Sequence, residues 1–344
     1  MKKFLLLLCA LSPIGLAHAE TLMGAAFIKV PAPHQDHAID TAIFYPAQGG
    51  IETKMGENAV FYGTPIAKDA TPIPGHYPVV LLSHGWGGNY KRMGWLSRGL
   101  VERGAIVISV NHPNSTTDET GDPRALNHWT RAQDFSAALD RALADPHFSS
   151  LIDRNRIFAA GFSYGGWTAL SLAGVRGDRD GLDRFCNDPS QANSPCADIL
   201  RAGIKINKID KTKWNADWKD SRITSVAAID PALTWGITSG NLKNLTAPLL
   251  LIGLGSGSDR LHATDTSAKG SDFESLVPTA AIMRLAPAMH FTALGLCKPN
   301  GAEILKEEKD DPVCTDPEGT DRAAVLAQII DALAQHFGLQ KSSS

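Results

Sequence analysis

Long apolar runs recur along the chain and predict the strands of a sheet that is covered on both faces. They occupy residues 77–82, 105–110, 156–160, 223–229, 249–254 and 280–285. Runs without regular polar alternation are typical of parallel strands packed between helices, because neither face of such a strand contacts water. Residues 24–30 and 40–45 instead alternate apolar and polar positions, which predicts two edge strands.

Amphipathic segments separate these runs and predict helices. They occupy residues 89–103, 129–144, 168–174 and 321–337. The resulting order, β-α-β-α-β-α-β-β, predicts an α/β fold with a single doubly wound, mostly parallel sheet and helices on both faces. We expect this sheet to form one domain over residues 20–344.

Two stretches depart from the alternation of strand and helix. Residues 46–78 are rich in Gly, Pro, Thr and Asn and predict a long surface excursion. Residues 175–221 combine a run of charges with Trp214 and Trp218. This second stretch predicts an insertion or cap over the top of the sheet, after the helix at residues 168–174.

Composition and the first residues indicate an exported globular protein. The 344 residues are 43% hydrophobic and 20% charged, with a net charge of −3 that gives no reason to expect nucleic acid or an anionic membrane as a partner. Residues 1–19 predict a signal peptide, because Lys2 and Lys3 precede a short apolar core and A-H-A forms a cleavage site ending at Ala19. No later run is long and apolar enough to span a bilayer. We therefore expect a periplasmic or secreted protein.

Four cysteines follow this leader: Cys186, Cys196, Cys297 and Cys314. Export favours disulfides, and four cysteines allow three pairings. The local pairing, Cys186–Cys196 with Cys297–Cys314, requires no assumption about the fold, so it is the one we predict. The spacings fit no zinc signature, and we expect no metal.

The candidate chemistry centres on the sequence G-F-S-Y-G at residues 161–165. The pattern G-x-S-x-G at a strand–helix junction predicts a sharp turn that projects Ser163 from the top of the sheet. Gly161 and Gly165 suit such a turn, because close contact between strand and helix leaves no room for a Cβ atom. We predict Ser163 as a nucleophile.

A serine nucleophile requires a base, and the base requires a carboxylate to orient it. His290 follows the last strand and is the predicted base. Asp230 directly follows the strand at residues 223–229, whereas Asp259 lies in a Gly/Ser loop after the next strand. Rigid placement favours Asp230 as the acid and leaves Asp259 as the alternative.

An anion site completes the predicted arrangement. The segment S-H-G-W-G-G follows the strand at residues 77–82, and its small residues allow backbone N–H groups to face a reacting carbonyl. We predict the backbone N–H groups of Trp86 and Tyr164 as the oxyanion hole. His84 and His112 also follow strands, and we interpret both as structural.

Together the segments S-H-G-W-G-G, G-F-S-Y-G-G, A-A-I-D-P-A and M-H-F-T, with D-R-A-A near the end, resemble the α/β-hydrolase superfamily. They look most like its dienelactone-hydrolase-like branch, which is related to platelet-activating-factor acetylhydrolases. In acetylhydrolases of this type the acid follows the strand after the nucleophile, which matches Asp230. In bacterial polyester hydrolases it follows the next strand, nearer Asp259. Dienelactone hydrolases themselves use Cys where this chain has Ser163.

These features predict an exported serine hydrolase that cleaves carboxylic esters without a cofactor. We expect a small-molecule or lipid-like substrate, with short-chain acyl esters first and polyesters or phospholipid acetyl groups second. Trp86, Phe162, Tyr164 and Trp235 are candidates for an apolar acyl pocket. A serine peptidase or amidase is an alternative, because the same triad cleaves amides. Outside the enzymes, the alternative is a catalytically silent hydrolase fold that acts as a binding module.

Overall fold

A computed structural model describes residues 21–117, 119, 122–191, 196, 199–200 and 203–340. The predicted signal peptide at residues 1–19 and the predicted mature start at Glu20 lie outside the described residues.

The described residues form one mixed sheet in the spatial order β11-β10-β9-β8-β6-β7-β2-β1-β4-β3, and β5 pairs with β2. Six neighbouring strands, from β11 to β7, run parallel to one another. The predicted α/β sheet is therefore confirmed. The strands are β1 (Leu22–Val30), β2 (Ile39–Gln48), β3 (Ile51–Met55), β4 (Thr64–Lys68), β5 (Thr71–Pro72), β6 (Tyr77–Ser83), β7 (Ile106–Val110), β8 (Ile152–Phe162), β9 (Ile223–Ile229), β10 (Leu249–Leu254) and β11 (Ala281–Leu285).

Helices cover both faces of the sheet. They are α1 (Gly94–Val101), α2 (His128–Ala144), α3 (Tyr164–Leu172), α4 (Arg179–Cys186), α5 (Lys211–Trp214), α6 (Phe273–Leu276), α7 (Gly301–Glu308) and α8 (Arg322–His336). Alternate residues of one strand enter the two cores: Val79 and Leu81 of β6 pack with α2 and α3, whereas Val80 and Leu82 pack with α1 and α8. Burial on both faces explains why the central strands are continuous apolar runs.

Two predictions about the first hundred residues were wrong. Strands β1 and β2 are not edge strands, since β2 pairs with β7 and β1 continues the sheet to β4 and β3. Residues 46–78 are not a surface excursion, because they contain β3, β4 and β5. The helix expected at residues 89–103 is also shorter, since a 3-10 turn (Tyr90–Met93) precedes α1.

The described part of residues 175–221 contains α4 and α5 and packs beside the loop that follows β6. Its apolar side chains, including Leu182, Ile206 and Trp214, form a cluster with Trp129 of α2, and Trp86 packs against this cluster. His128 secures the contact, because its Nε2–H donates to the carbonyl oxygen of Trp214 at 2.9 Å. Burial lowers the pKa of His128 to about 4, so its ring is neutral near pH 7.

Both predicted local disulfides are present. Cys186 at the end of α4 is bonded to Cys196, and Cys297 is bonded to Cys314. The second bridge closes the segment that follows His290 and contains α7.

Candidate active site

Ser163 occupies a sharp turn between β8 and α3. Its backbone has φ 57° and ψ −119°, a left-handed conformation that a residue with a Cβ adopts only where its surroundings enforce it. Its N–H donates to the carbonyl oxygen of Ile229 at 2.9 Å, which fixes the turn to β9. A Cβ built on Gly161 would lie 2.1 Å from the carbonyl oxygen of Gly165, and one built on Gly165 would lie 2.1 Å from that of Ser83. Both flanking glycines are therefore required by space.

His290 lies between Ser163 and Asp230. It begins a 3-10 turn, His290–Ala293, beyond the end of β11. Its Nε2 lies 3.0 Å from Ser163 Oγ, and its Nδ1 lies 2.6 Å from Asp230 Oδ2. A carboxylate can only accept, so Nδ1 carries the proton and Nε2 is left as the acceptor for the serine hydroxyl. The ring also packs 4.6 Å from the ring of Phe162.

The turn that carries His290 is supported by a chain of hydrogen bonds. Thr292 Oγ1 accepts from the N–H of Met289 at 2.9 Å and donates to Asp316 at 2.7 Å. Asp316 in turn accepts from the guanidinium of Arg322, the first residue of α8. Since Asp316 follows Cys314 by two residues, the disulfide-closed segment and α8 together hold the turn in place.

Asp230 is fully buried immediately after β9 and is surrounded by donors. Its Oδ1 accepts from the N–H of Leu254 at 3.0 Å and lies 3.3 Å from Arg260 Nη1. Its Oδ2 accepts from Thr264 Oγ1 at 2.7 Å as well as from His290. Four donors on two oxygens hold the carboxylate in one orientation.

Asp259 lies outside this group. It ends a 3-10 turn, Gly257–Asp259, and its side chain is exposed. The next residue, Arg260, is the one that reaches Asp230. The structure thus brings Asp230, and not Asp259, to His290.

The predicted anion site lies beside Ser163. Tyr164 is the first residue of α3, where a backbone N–H has no partner within the helix. Within the described residues, neither this N–H nor that of Trp86 donates a hydrogen bond. Gly85 is close to the serine, since a Cβ at this position would lie 3.2 Å from Ser163 Cβ. The rings of Trp86 and Tyr164 also lie close together, with centroids 5.8 Å apart.

Trp235, the remaining candidate for an acyl pocket, belongs to an aromatic group beside α4. Its ring stacks on Phe185 of α4 at 4.0 Å and lies 4.9 Å from the ring of His262. The indole Nε1 of Trp235 is buried without a hydrogen-bond partner among the described residues. The segment after β9, the segment after β10 and α4 therefore meet at this point.

A second Ser–His–Asp array, which sequence reasoning missed, lies one strand away. Ser83 Oγ is 3.0 Å from His112 Nε2, and His112 Nδ1 is 2.8 Å from Asp134 Oδ2. All three side chains are buried, and Ser83 Oγ also accepts from Arg131 at 3.2 Å. Burial lowers the pKa of His112 to about 4, and hydrogen bonds from His112, His34 and Gln35 outweigh burial to lower the pKa of Asp134. His112 is therefore neutral and Asp134 ionised near pH 7.

His84 belongs to the same buried region. Its Nδ1–H donates to the carbonyl oxygen of Gly85 at 2.7 Å, and its Nε2 accepts from the N–H of His112 at 3.1 Å. Burial, together with the nearby charge of Arg131, holds the pKa of His84 well below its usual value. Both histidines interpreted as structural are thus engaged in bracing the segment after β6.

Neither a candidate metal centre nor a membrane-spanning helix occurs in the described ranges. No group of three or more His, Cys, Asp or Glu side chains there could hold a metal ion. In the same part of the chain, no helix is both long and apolar enough to cross a membrane.

The parallel sheet, the flanking helices and the strand–turn–helix at Ser163 define the α/β-hydrolase fold. Solved structures with this arrangement include a ferulic acid esterase from Streptomyces cinnamoneus, with a TM-score of 0.58 and 19% identity over 95% of this chain and 92% of that one. A dienelactone hydrolase-like promiscuous phosphotriesterase from metagenomic libraries has a TM-score of 0.52 and 14% identity, over 92% of this chain and 99% of that one.

One curated protein is similar in sequence over a short segment. Lipase 1 of Moraxella sp. (strain TA144) is 40% identical over 82 residues, which are 24% of this chain and 23% of the lipase. The match therefore spans about a quarter of the lipase. No protein-family model matches the chain.

Proposed function

We propose that the protein is an exported serine hydrolase that cleaves carboxylic esters, with Ser163 as nucleophile, His290 as base and Asp230 as acid. The observation that carries the proposal is the continuous hydrogen-bonded chain from Ser163 Oγ through the His290 ring to Asp230, at 3.0 and 2.6 Å. Ser163 ends that chain on a strained turn at a helix N-terminus, where a nucleophile is accessible and an anion is stabilised. Ser83 ends the buried chain on a strand, with Arg131 donating to its hydroxyl.

The reaction follows from the roles of these atoms. Ser163 Oγ attacks the ester carbonyl carbon while His290 Nε2 takes the hydroxyl proton, and the carbonyl oxygen becomes an oxyanion held by the N–H groups of Trp86 and Tyr164. His290 then returns the proton to the leaving alcohol oxygen, which leaves an acyl group on Ser163. Water, deprotonated by the same ring, attacks this acyl-enzyme and releases the acid. Asp230 stabilises the imidazolium that forms in both steps.

The substrate proposed is an ester with a short acyl chain, as in acetylhydrolases. The names of the similar proteins, a lipase and a ferulic acid esterase, support ester cleavage. The ring of Phe162 beside His290 and the partly exposed ring of Trp86 support an apolar acyl group over a charged one, whereas the ring of Tyr164 is buried in the core against Arg131. The same mechanism could cleave polyesters, phospholipid acetyl esters or amides. Turnover rates measured on a panel of these substrates distinguish the possibilities.

Export is also part of the proposal. The structure contains two disulfides, and disulfides persist in the oxidising compartments outside the cytoplasm. They therefore support export and the predicted signal peptide. Mass spectrometry of the protein purified from the periplasm or medium of its source is expected to give a chain that begins near Glu20.

The test is covalent labelling combined with turnover. The protein is expected to hydrolyse p-nitrophenyl acetate and to react with a fluorophosphonate, with the label on the peptide that contains Ser163. Ser163→Ala is expected to lose both properties. Ser171→Ala is the matched control, because Ser171 is a buried serine of α3 whose hydroxyl has no hydrogen-bond partner within the described residues. A label found on Ser83 would refute the choice of nucleophile, and a folded protein without label or turnover would favour the binding module.

A further inference from the structure

Arg131 of α2 is a buried cation directed at the carboxyl ends of the central strands. Its side chain is about as buried as those of the apolar core, with 1% of its surface exposed. Nε donates to Thr168 Oγ1 at 2.9 Å, and Nη1 donates to Ser115 Oγ at 2.7 Å. The guanidinium therefore ties α2 to α3 and to the segment after β7.

Two further contacts connect Arg131 to the segments that carry the proposed oxyanion donors. Nη2 donates to the carbonyl oxygen of His84, two residues before Trp86. The guanidinium carbon also lies 4.3 Å from the centre of the Tyr164 ring, over its face. One side chain thus contacts both the loop that carries the Trp86 N–H and the residue that carries the other N–H.

The segment after β6 is fixed from a second direction by the buried Ser–His–Asp array. His112 accepts from Ser83 through Nε2, and its backbone N–H donates to the ring of His84. Asp134 holds the His112 ring through Nδ1. Arg131 also donates to Ser83, so the array and the guanidinium form one continuous network.

The charge of Arg131 is unusual for a purely structural residue. Every hydrogen bond that it makes to a described residue goes to a neutral oxygen. Among the described residues, hydrogen bonds connect Arg131 to Asp134 through Ser83 and His112 and not directly. Burial lowers the pKa of Arg131 to about 10, so the group is still charged at neutral pH. Burying a cation without a directly bonded carboxylate is costly, and an apolar residue would fill the same space at lower cost.

We propose that Arg131 is the positioning residue of the oxyanion hole. It fixes the loop of Trp86 and the start of α3 relative to each other, and it places a positive charge in contact with both segments. This proposal rests on the proposed function. Its consequence is selective: Arg131 stabilises the tetrahedral oxyanion and contributes little to binding of the uncharged ester.

The test compares Arg131→Lys, which keeps the charge and loses the planar fork, with Arg131→Gln, which loses the charge. We expect kcat for p-nitrophenyl acetate to fall about 10- to 100-fold in Arg131→Lys and further in Arg131→Gln, because misplacing or removing oxyanion donors has effects of this size. KM is expected to stay within about threefold, since an interaction made only in the transition state changes kcat and kcat/KM equally.

Inhibitor affinity gives a readout that general damage would not reproduce. A trifluoromethyl ketone adds to the serine and forms an oxyanion, whereas the matching methyl ketone binds without one. The inhibition constant of the trifluoromethyl ketone is expected to rise in each variant by the same factor by which kcat falls. The inhibition constant of the methyl ketone is expected to stay the same. Arg222→Lys is the control, because Arg222 pairs with Asp140 and Asp220 just before β9, at the opposite end of the strands.

The outcomes separate the two proposals. An active enzyme whose folded Arg131 variants keep kcat, or lose affinity for both ketones equally, overturns the role of Arg131 alone. An unaltered protein without turnover or fluorophosphonate labelling overturns the proposed function and this role with it. If the Arg131 variants do not fold, Ser115→Ala decides, because it removes one acceptor of the guanidinium and is expected to lower kcat in the same selective way.

Discussion

Replacing Asp230 by asparagine tests the proposed acid most directly, because the surroundings of this side chain dictate how an amide must sit. The N–H of Leu254 and the guanidinium of Arg260 face Oδ1, and both can only donate. The oxygen of the introduced amide must therefore face them, and its NH₂ group must face His290 and Thr264. The threonine hydroxyl and a ring nitrogen can each accept from that group.

This orientation imposes the wrong tautomer on the histidine. With Nδ1 accepting from the new amide, the ring proton moves to Nε2, which then cannot accept the proton of Ser163. A triad with the wrong tautomer loses about 10⁴-fold in kcat. A loss of that size corresponds to about 5 kcal/mol of activation free energy. Asp259→Asn changes an exposed side chain and is expected to keep kcat within about twofold, since surface substitutions away from special features have small effects.

The assay is steady-state hydrolysis of p-nitrophenyl acetate by both variants, with near-ultraviolet circular dichroism to show that each is folded. The rate of fluorophosphonate labelling is expected to fall in parallel for Asp230→Asn, because labelling uses the same activated hydroxyl. A folded Asp230→Asn enzyme with more than about a tenth of the original kcat would refute the reasoning, since the wrong tautomer costs far more. A loss of several orders of magnitude in Asp259→Asn would transfer the role of the acid to that residue.

Three further predictions concern the scaffold. Gly165→Ala places a Cβ 2.1 Å from the last carbonyl oxygen of β6 and is expected to abolish activity and the folded near-ultraviolet signal, whereas Gly240→Ala, with its nearest neighbour at 3.5 Å, is expected to preserve both. As pH falls from 6.5 to about 4, His128 of the unfolded chain binds a proton that His128 of the folded protein does not, so the free energy of unfolding falls by up to about 3 kcal/mol. In His128→Gln the free energy of unfolding measured in urea is expected to fall less over this pH range. Equal falls in the variant and the unaltered protein would contradict this. Replacing Cys297 and Cys314 by serine opens a bridge of sequence separation 17 and is expected to lower the unfolding free energy by about 3 kcal/mol, which an unchanged urea midpoint would disprove.

The sequence predicted best those elements whose surroundings are uniform. Strands β9 and β10 have the predicted bounds to the residue, because β10 and the last five residues of β9 are buried and both strands are mostly apolar. Strands β3 and β4 were missed for the opposite reason. Residues 51–55 read I-E-T-K-M and are mostly exposed, so their strand structure is determined by pairing with β4. Such pairing leaves no periodic signal in the residues themselves.

In the candidate site, too, one part could be predicted from the sequence and another could not. The turn at Ser163 is readable because steric demands select glycines at fixed positions in the chain. The network around Arg131 is built from contacts between distant segments, which no local pattern specifies. One signal was present: Arg131 and Asp134 share the buried face of α2 with Phe135 and Ala138, and charged residues on an apolar stripe require an explanation.

The buried array has a consequence for recognising enzymes by geometry. The described residues contain two serine–histidine–aspartate sets with the same 3.0 Å separation between hydroxyl and ring nitrogen. Distances alone therefore give one false positive for each true site under the proposed function. The feature that separates them is what surrounds each hydroxyl: Ser83 is enclosed by the core and bonded to Arg131, whereas Ser163 precedes a helix whose first backbone N–H donates to no other described residue. Template searches gain specificity when the surroundings of the hydroxyl are scored together with the hydrogen bonds.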